Sequence, residues 1–170
     1  MSKLRARSVD APTYRLAVPF DSDTPSEDEI IKAALRILHH RISDAPVMSS
    51  SSLVQQYLQL EMAEHTHQEV FAVMYLDSQN RLISFKKMFN GSLNQCSVYP
   101  RELVREALLQ GAASLILCHN HPSGTLTPSR SDESLTLTLK AALNLVDVKV
   151  LDHIITSNEG TKSMAEMGII

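Results

Sequence analysis

A chain of 170 residues with 44% hydrophobic and 21% charged residues has a globular composition, which excludes an intrinsically disordered chain. The formal net charge is -3, with the basic and acidic groups balanced up to residue 47 and an acidic excess beyond it, which weighs against broad charge-driven binding of nucleic acid. There is no secretory leader pattern and no apolar run of transmembrane length, and Cys96 and Cys118 form neither a CxxC pair nor a disulfide framework, so the expectation is a cytoplasmic protein with reduced thiols and no membrane partner.

Residues 1–26 mix charges with Pro12, Pro19 and Pro25 and read as a poorly ordered arm. Ser26 then suits an N-cap ahead of Glu27-Asp28-Glu29, with Ile30, Ile31, Ala34, Leu35 and Leu38 at helical spacing. A serine-rich stretch around Pro46 reads as a linker. It separates an arm and helix over 1–46 from a domain over 47–170. That domain opens with a helix around Leu53 to Glu64. The unbroken apolar run from Val70 to Leu76 predicts a buried strand, and Arg81 to Met88 a strand returning beside it. Pro100 and Gly111 bracket a helix in the expected order. Ala113 to Cys118 predicts a second buried strand, Asp132 to Val146 an amphipathic helix, and Val148 to Thr156 the last clear strand. Such alternation predicts an α/β fold with a mixed sheet flanked by helices.

The chemistry gathers where the second apolar strand ends. His119-x-His121 has the spacing of extended chain, so both imidazoles can face one point. Asp132, at the start of the next helix, adds a carboxylate. Two histidines and one carboxylate form a catalytic-zinc ligand set, with one position left for water. A base is still needed, and Glu69 is better placed than Glu61 or Glu64 because it directly precedes the strand at Val70. Ser129, three residues before Asp132, also suits a capping box. Cys118 neighbours His119 but points to the opposite face, as a buried thiol. Asp152 and His153 are read as satisfied polar groups at a sheet edge, ahead of a role supporting a ligand. His65 and His67 are read as exposed.

The series Glu69, His119-x-His121, seven residues, Ser129, two residues, Asp132 resembles the JAMM (MPN-plus) metalloprotease motif. The detail of His119-Asn120-His121-Pro122-Ser123-Gly124 and Pro128-Ser129 resembles the RadC family, the bacterial branch of that fold. Tyr99 to Leu108, Leu151 to Ile155 and Ser163 to Gly168 extend the likeness from about residue 47 to the end. Longer members of the family place a helix-hairpin-helix segment ahead of this core; no hairpin glycine signature stands in the residues preceding it here. The resemblance implies a JAB1/MPN-type α-β-α sandwich. It further implies one zinc per chain on His119, His121 and Asp132, Glu69 as general base, and Ser129 as hydrogen-bond donor to an oxyanion. The activity implied is a metallopeptidase acting on a peptide or isopeptide bond of an unknown peptide or protein. The alternative is a DNA-repair or mobile-element accessory module that binds nucleic acid or protein, although the charge does not support DNA. Oligomeric state is not legible.

Overall fold

The computed structural model describes residues 25–44, 50–91 and 98–170. Residues 1–24 of the arm expected over 1–26, the linker around Pro46 and Cys96 lie outside the described residues. In chain order the elements are α1 (Glu27–Asp44), α2 (Ser51–Met62), β1 (Val70–Leu76), β2 (Leu82–Asn90), α3 (Pro100–Gln110), β3 (Ser114–Asn120), α4 (Arg130–Asn144), β4 (Lys149–Ser157) and β5 (Gly160–Ser163). The sheet order is β2-β1-β3-β4-β5. β3 and β4 run parallel, with α4 as the crossover between them, and the other neighbours are antiparallel.

Helices cover both faces of the sheet, as the α/β expectation required. Val70, Ala72, Met74, Ile116 and Cys118 pack with Val54, Leu58 and Met62 of α2 and with Leu38 of α1. Phe71, Val73, Tyr75, Leu115 and Leu117 pack instead with Leu103 and Ala107 of α3 and Leu139 and Leu143 of α4. This is why Val70–Leu76 shows no polar alternation: both sets of side chains are buried. The helix ends follow local chemistry. Ser26 caps α1 through a reciprocal pair with Glu29, Ser26 N donating at 2.8 Å and Ser26 Oγ accepting at 3.3 Å. α3 starts on Pro100 and stops at Gly111, whose φ of 62° is the left-handed value that favours glycine.

Two sequence expectations change. β3 runs on to Asn120, because the pairs His119↔Ile155 and Asn120↔Thr156 continue its ladder with β4. β4 is not the last strand, since β5 pairs along its far side. Four residues reading Gly-Thr-Lys-Ser carry no apolar period, so β5 is invisible to pattern reading. Among the described residues no helix is long and apolar enough to cross a membrane.

Candidate metal centre

The centre sits at the carboxyl end of β3, where strand, loop and helix converge. His119 lies on β3 facing α4 and is 3% exposed. His121 stands one residue past the strand, yet its N–H donates to Thr156 O at 2.8 Å and so keeps it in line with β4. The two imidazoles meet as expected, Nε2 to Nε2 at 2.9 Å. Asp132 is the third residue of α4, with Oδ1 3.4 Å from His119 Nε2 and Oδ2 3.6 Å from His121 Nε2. Glu69 joins them: its carboxylate and the two imidazoles offer ligand atoms within 4.8 Å of one another. The strand register explains its arrival, since Phe71↔His119 in an antiparallel pair continues outward to set Glu69 opposite His121.

These residues fit a metal ion. About a tetrahedral zinc with bonds of roughly 2.0–2.1 Å, ligand atoms stand roughly 3.3 Å apart. The two Nε2 atoms stand 2.9 Å apart, and each has an Asp132 oxygen near that spacing, Oδ1 at 3.4 Å from His119 and Oδ2 at 3.6 Å from His121. Proton counting shows that both imidazoles aim a lone pair inward. His121 Nδ1–H donates to Thr125 O at 2.7 Å, which leaves Nε2 free. The hydroxyl of Thr136 must donate to Asp132 O, 2.6 Å away, because a carbonyl only accepts. Thr136 therefore accepts from His153 Nδ1–H, and His153 Nε2 in turn accepts from His119 Nδ1–H at 2.8 Å. His119 is left with its lone pair on Nε2. The chain starts on the His119 ring and closes on the backbone of Asp132, an arrangement of the kind by which neighbours orient a metal-binding histidine.

Electrostatics describes the other protonation of the same cluster. Burial raises the carboxyl of Asp132, but with a proton on their Nε2 atoms His119 and His121 hydrogen-bond it and hold it well below the usual carboxylate range. The Asp132 contact raises His121 in turn, and a cation at this point would take the place of those protons. Burial, reinforced by His119, holds His153 far below the usual imidazole range, so it stays neutral and able to accept.

Ser129 is the N-cap of α4. Its Oγ accepts from Asp132 N at 3.2 Å while its own N–H donates to Asp132 Oδ2 at 2.7 Å, a complete capping box that also locks the carboxylate. The hydroxyl is exposed, and it helps to hold the Asp132 carboxylate ionised. Cys118 is buried on the α2 face with its thiol pushed up by burial, as expected, and is no ligand.

The pair Asp152 and His153 splits. Asp152 is a satisfied polar group, accepting from Ser163 Oγ at 2.6 Å and Ala165 N at 3.0 Å. His153 is not at a sheet edge: it is fully buried and supports His119. An irregularity in β4 pairing between Leu115 and Ile116 changes which face the strand's residues take, so Val150 and Ile154 fall in opposite cores and alternation misplaces His153. His67 is exposed as expected, but His65 is half-buried, and its Nε2 is wholly covered. Asn120 was missed altogether. Its Oδ1 accepts from Val70 N at 2.7 Å, and its Nδ2 donates to Gln68 O at 3.0 Å and His65 O at 2.6 Å. It therefore grips the chain on both sides of Glu69. The available signal was a carboxamide set between the two candidate histidines on the opposite face of their strand.

The family model for the RadC-like JAB domain matches residues 48–169. A UPF0758 protein of Methylibium petroleiphilum is 52% identical over 141 residues, which make up 83% of this chain and 63% of that protein. UPF0758 proteins of Acidovorax sp. (strain JS42) and Polaromonas sp. are 53% and 50% identical over the same share of this chain and over 59% and 62% of their own lengths. The chain thus spans about three fifths of the length of these curated relatives.

Proposed function

The chain belongs to the RadC family of JAB domains, and on that premise we propose that it is a zinc-dependent hydrolase of amide bonds, peptide or isopeptide. The observation that carries this is the convergence of His119 Nε2, His121 Nε2 and Asp132 on one point, with Glu69 beside it. A nitrogen-rich set with a single carboxylate suits zinc better than magnesium. Asp132 is favoured over Glu69 as third ligand because the capping box and the helix hold it fixed. When bound, zinc supplies the positive charge that acidifies a water to a pKa of about 7 and polarises a carbonyl.

The chain's own residues do the rest. Glu69 takes a proton from the attacking water and returns it to the leaving amine, so that hydroxyl adds to the acyl carbon and hydrogen to the nitrogen. Asn120 fixes the backbone on either side of that base. Ser129 Oγ–H donates to the oxygen that gathers charge, a donor worth about 3 kcal/mol of barrier. Elemental analysis of wild type beside His121→Ala and Asp132→Ala tests the centre. About one zinc per chain is expected in wild type and little in the variants, with chelator-sensitive release of amine from short peptide amides. Equal metal in all three proteins overturns the assignment.

A further inference from the structure

The two imidazoles of the centre are held in different ways. His119 is buried, and its Nδ1–H donates to a side chain, His153 Nε2, at 2.8 Å. His121 is half-buried, and among the described residues the partner of its Nδ1–H is a backbone carbonyl, Thr125 O, at 2.7 Å. A carbonyl can only accept, so Nδ1 carries that proton whether Nε2 bears a proton or a lone pair. Thr125 is itself exposed, so the path of its loop aims the carbonyl. His121-Pro122-Ser123-Gly124 is a β-turn in which Gly124 N donates to His121 O at 3.1 Å, with proline and glycine where such turns favour them. Gly124 then takes a φ of 87°, which favours glycine, and the chain returns to the ring at Thr125. The turn between β4 and β5 lies against this loop on both sides of Thr125. A Cβ on Gly124 would stand 3.2 Å from Asn158 Oδ1 and 3.8 Å from Glu159 Cγ, and one on Gly160 would stand 4.0 Å from Leu126 Cδ1. The end of β4 also holds His121 by its backbone, Thr156 O accepting from His121 N at 2.8 Å.

We propose that Gly124 is a positioning residue for His121, and that the β4–β5 turn, through Asn158 and Gly160, is the seat on which its loop rests. The proposal rests on the metal reading of the centre, in which His121 Nε2 faces the ion. An L side chain at Gly124 meets two costs. Its φ is one that side chains rarely adopt, and its Cβ would stand closer to Asn158 Oδ1 than ordinary contact allows. Asn158 is exposed and can turn aside, so the backbone cost is the larger. Relief comes from shifting the loop, and the next residue along it carries the carbonyl that fixes His121. Gly160 has the same kind of backbone, with φ 136°, on the other side of the contact. Gly111, with φ 62°, has nothing within 4 Å of where its Cβ would stand, and it ends α3 ahead of β3, at the far end of that strand from His119. These glycines therefore separate strain at the seat from strain elsewhere.

The test compares Gly124→Ala, Gly160→Ala and Gly111→Ala in the full chain. All are expected to lower the melting temperature, since each forces a side chain into a positive φ. Zinc affinity, read by competition with a chelator, should fall roughly 10–100-fold in Gly124→Ala, by less in Gly160→Ala, and stay at the wild-type level in Gly111→Ala. NMR of metal-free protein carrying isotope-labelled histidine gives the second readout. The His121 Nδ1–H should exchange with water faster in both seat variants, while the His119 ring proton, held by His153, stays as in wild type. A folded Gly124→Ala protein with wild-type zinc affinity and a protected His121 proton overturns the proposal. So does loosening of both ring protons together, or an equal loss of zinc affinity in Gly111→Ala, since either reduces these glycines to fold stability. If Gly124→Ala does not fold, Gly160→Ala decides on the same readouts. The metal reading fails separately: a wild type that binds no zinc, with His121 alone loosened in the seat variants, removes the ion and upholds the positioning role. One zinc per chain in wild type, with all the variants alike, does the reverse.

Discussion

The two faces of β3 near its carboxyl end treat polar groups in opposite ways. On the α4 face, His119, His153, Thr136 and Asp132 form one directed chain in which every proton has a destination. On the α2 face, Asn120 is fully engaged, but Thr156 and His65 keep buried atoms with no partner. A closed network fixes geometry; an open one leaves it less determined. Glu69, gripped from the α2 face while its carboxylate reaches the histidines, joins the two faces.

Glu69→Gln breaks the contrast at that joint. The amide keeps the shape but cannot take a proton, so hydrolysis should fall by roughly 10²–10⁴ with zinc content and fold unchanged. Retained activity in Glu69→Gln, with loss in Glu61→Gln or Glu64→Gln, would move the base elsewhere.

Ser129→Ala should lower kcat by about 10²–10³ by removing the oxyanion donor. It should also destabilise the fold by about 1 kcal/mol through the lost cap. A change in melting temperature with no change in kcat would reduce Ser129 to a cap.

His153→Leu removes the acceptor behind His119 and should weaken zinc binding roughly 10–100-fold, read by competition with a chelator. His153→Gln, which keeps an acceptor near the same place, should recover part of it. Proton linkage gives a second reading. His153 has a depressed folded pKa, so below its unfolded value of about 6.5 the unfolded chain binds a proton that the fold refuses. Its contribution is therefore complete above pH 6.5 and is lost as the pH falls below, at up to about 1.4 kcal/mol per pH unit. Metal-stripped wild type should lose stability between pH 6.5 and 5.5 more steeply than His153→Gln; parallel pH profiles would show that His153 does not stay neutral in the fold.

Asn120→Asp sharpens the other face. The carboxylate cannot donate to the carbonyls of His65 and Gln68, so kcat should drop about 10-fold for a misplaced base, with metal binding nearly unchanged. Loss of zinc in step with activity would show that Asn120 serves the ligands rather than Glu69.

The smallest expected effect concerns DNA. Lys86 and Lys87, the adjacent basic pair, are each joined to a carboxylate, Glu106 and Glu64. Duplex and single-stranded DNA should bind no more tightly than about 10 μM at physiological salt, whether or not the metal is present. Submicromolar, metal-independent binding in a fluorescence titration would favour an accessory module over an enzyme.

What the sequence made legible was local. Ser26 and Ser129 announced their caps, Val70 to Leu76 its double burial, and His119-x-His121 its shared direction. What stayed hidden depends on pairing between distant segments. His153 reaches His119 only through the parallel β3–β4 register and a local shift within it. Asn120 looks like a spacer until the loop before β1 folds against it. β5 has no period to detect, and without it Asp152 and His153 read as an edge. The covering of His65 follows from the same loop, since its own carbonyl is one of the groups that Asn120 holds.

The spacing of the centre along the chain has a kinetic consequence. His119, His121 and Asp132 lie within fourteen residues, whereas Glu69 stands some fifty residues upstream of His121. Closing the longer loop costs about 1.2 kcal/mol more entropy than closing the shorter. The half proposed to hold the ion is therefore the easier part to assemble, and on that reading metal content should count polypeptides and not competent catalysts.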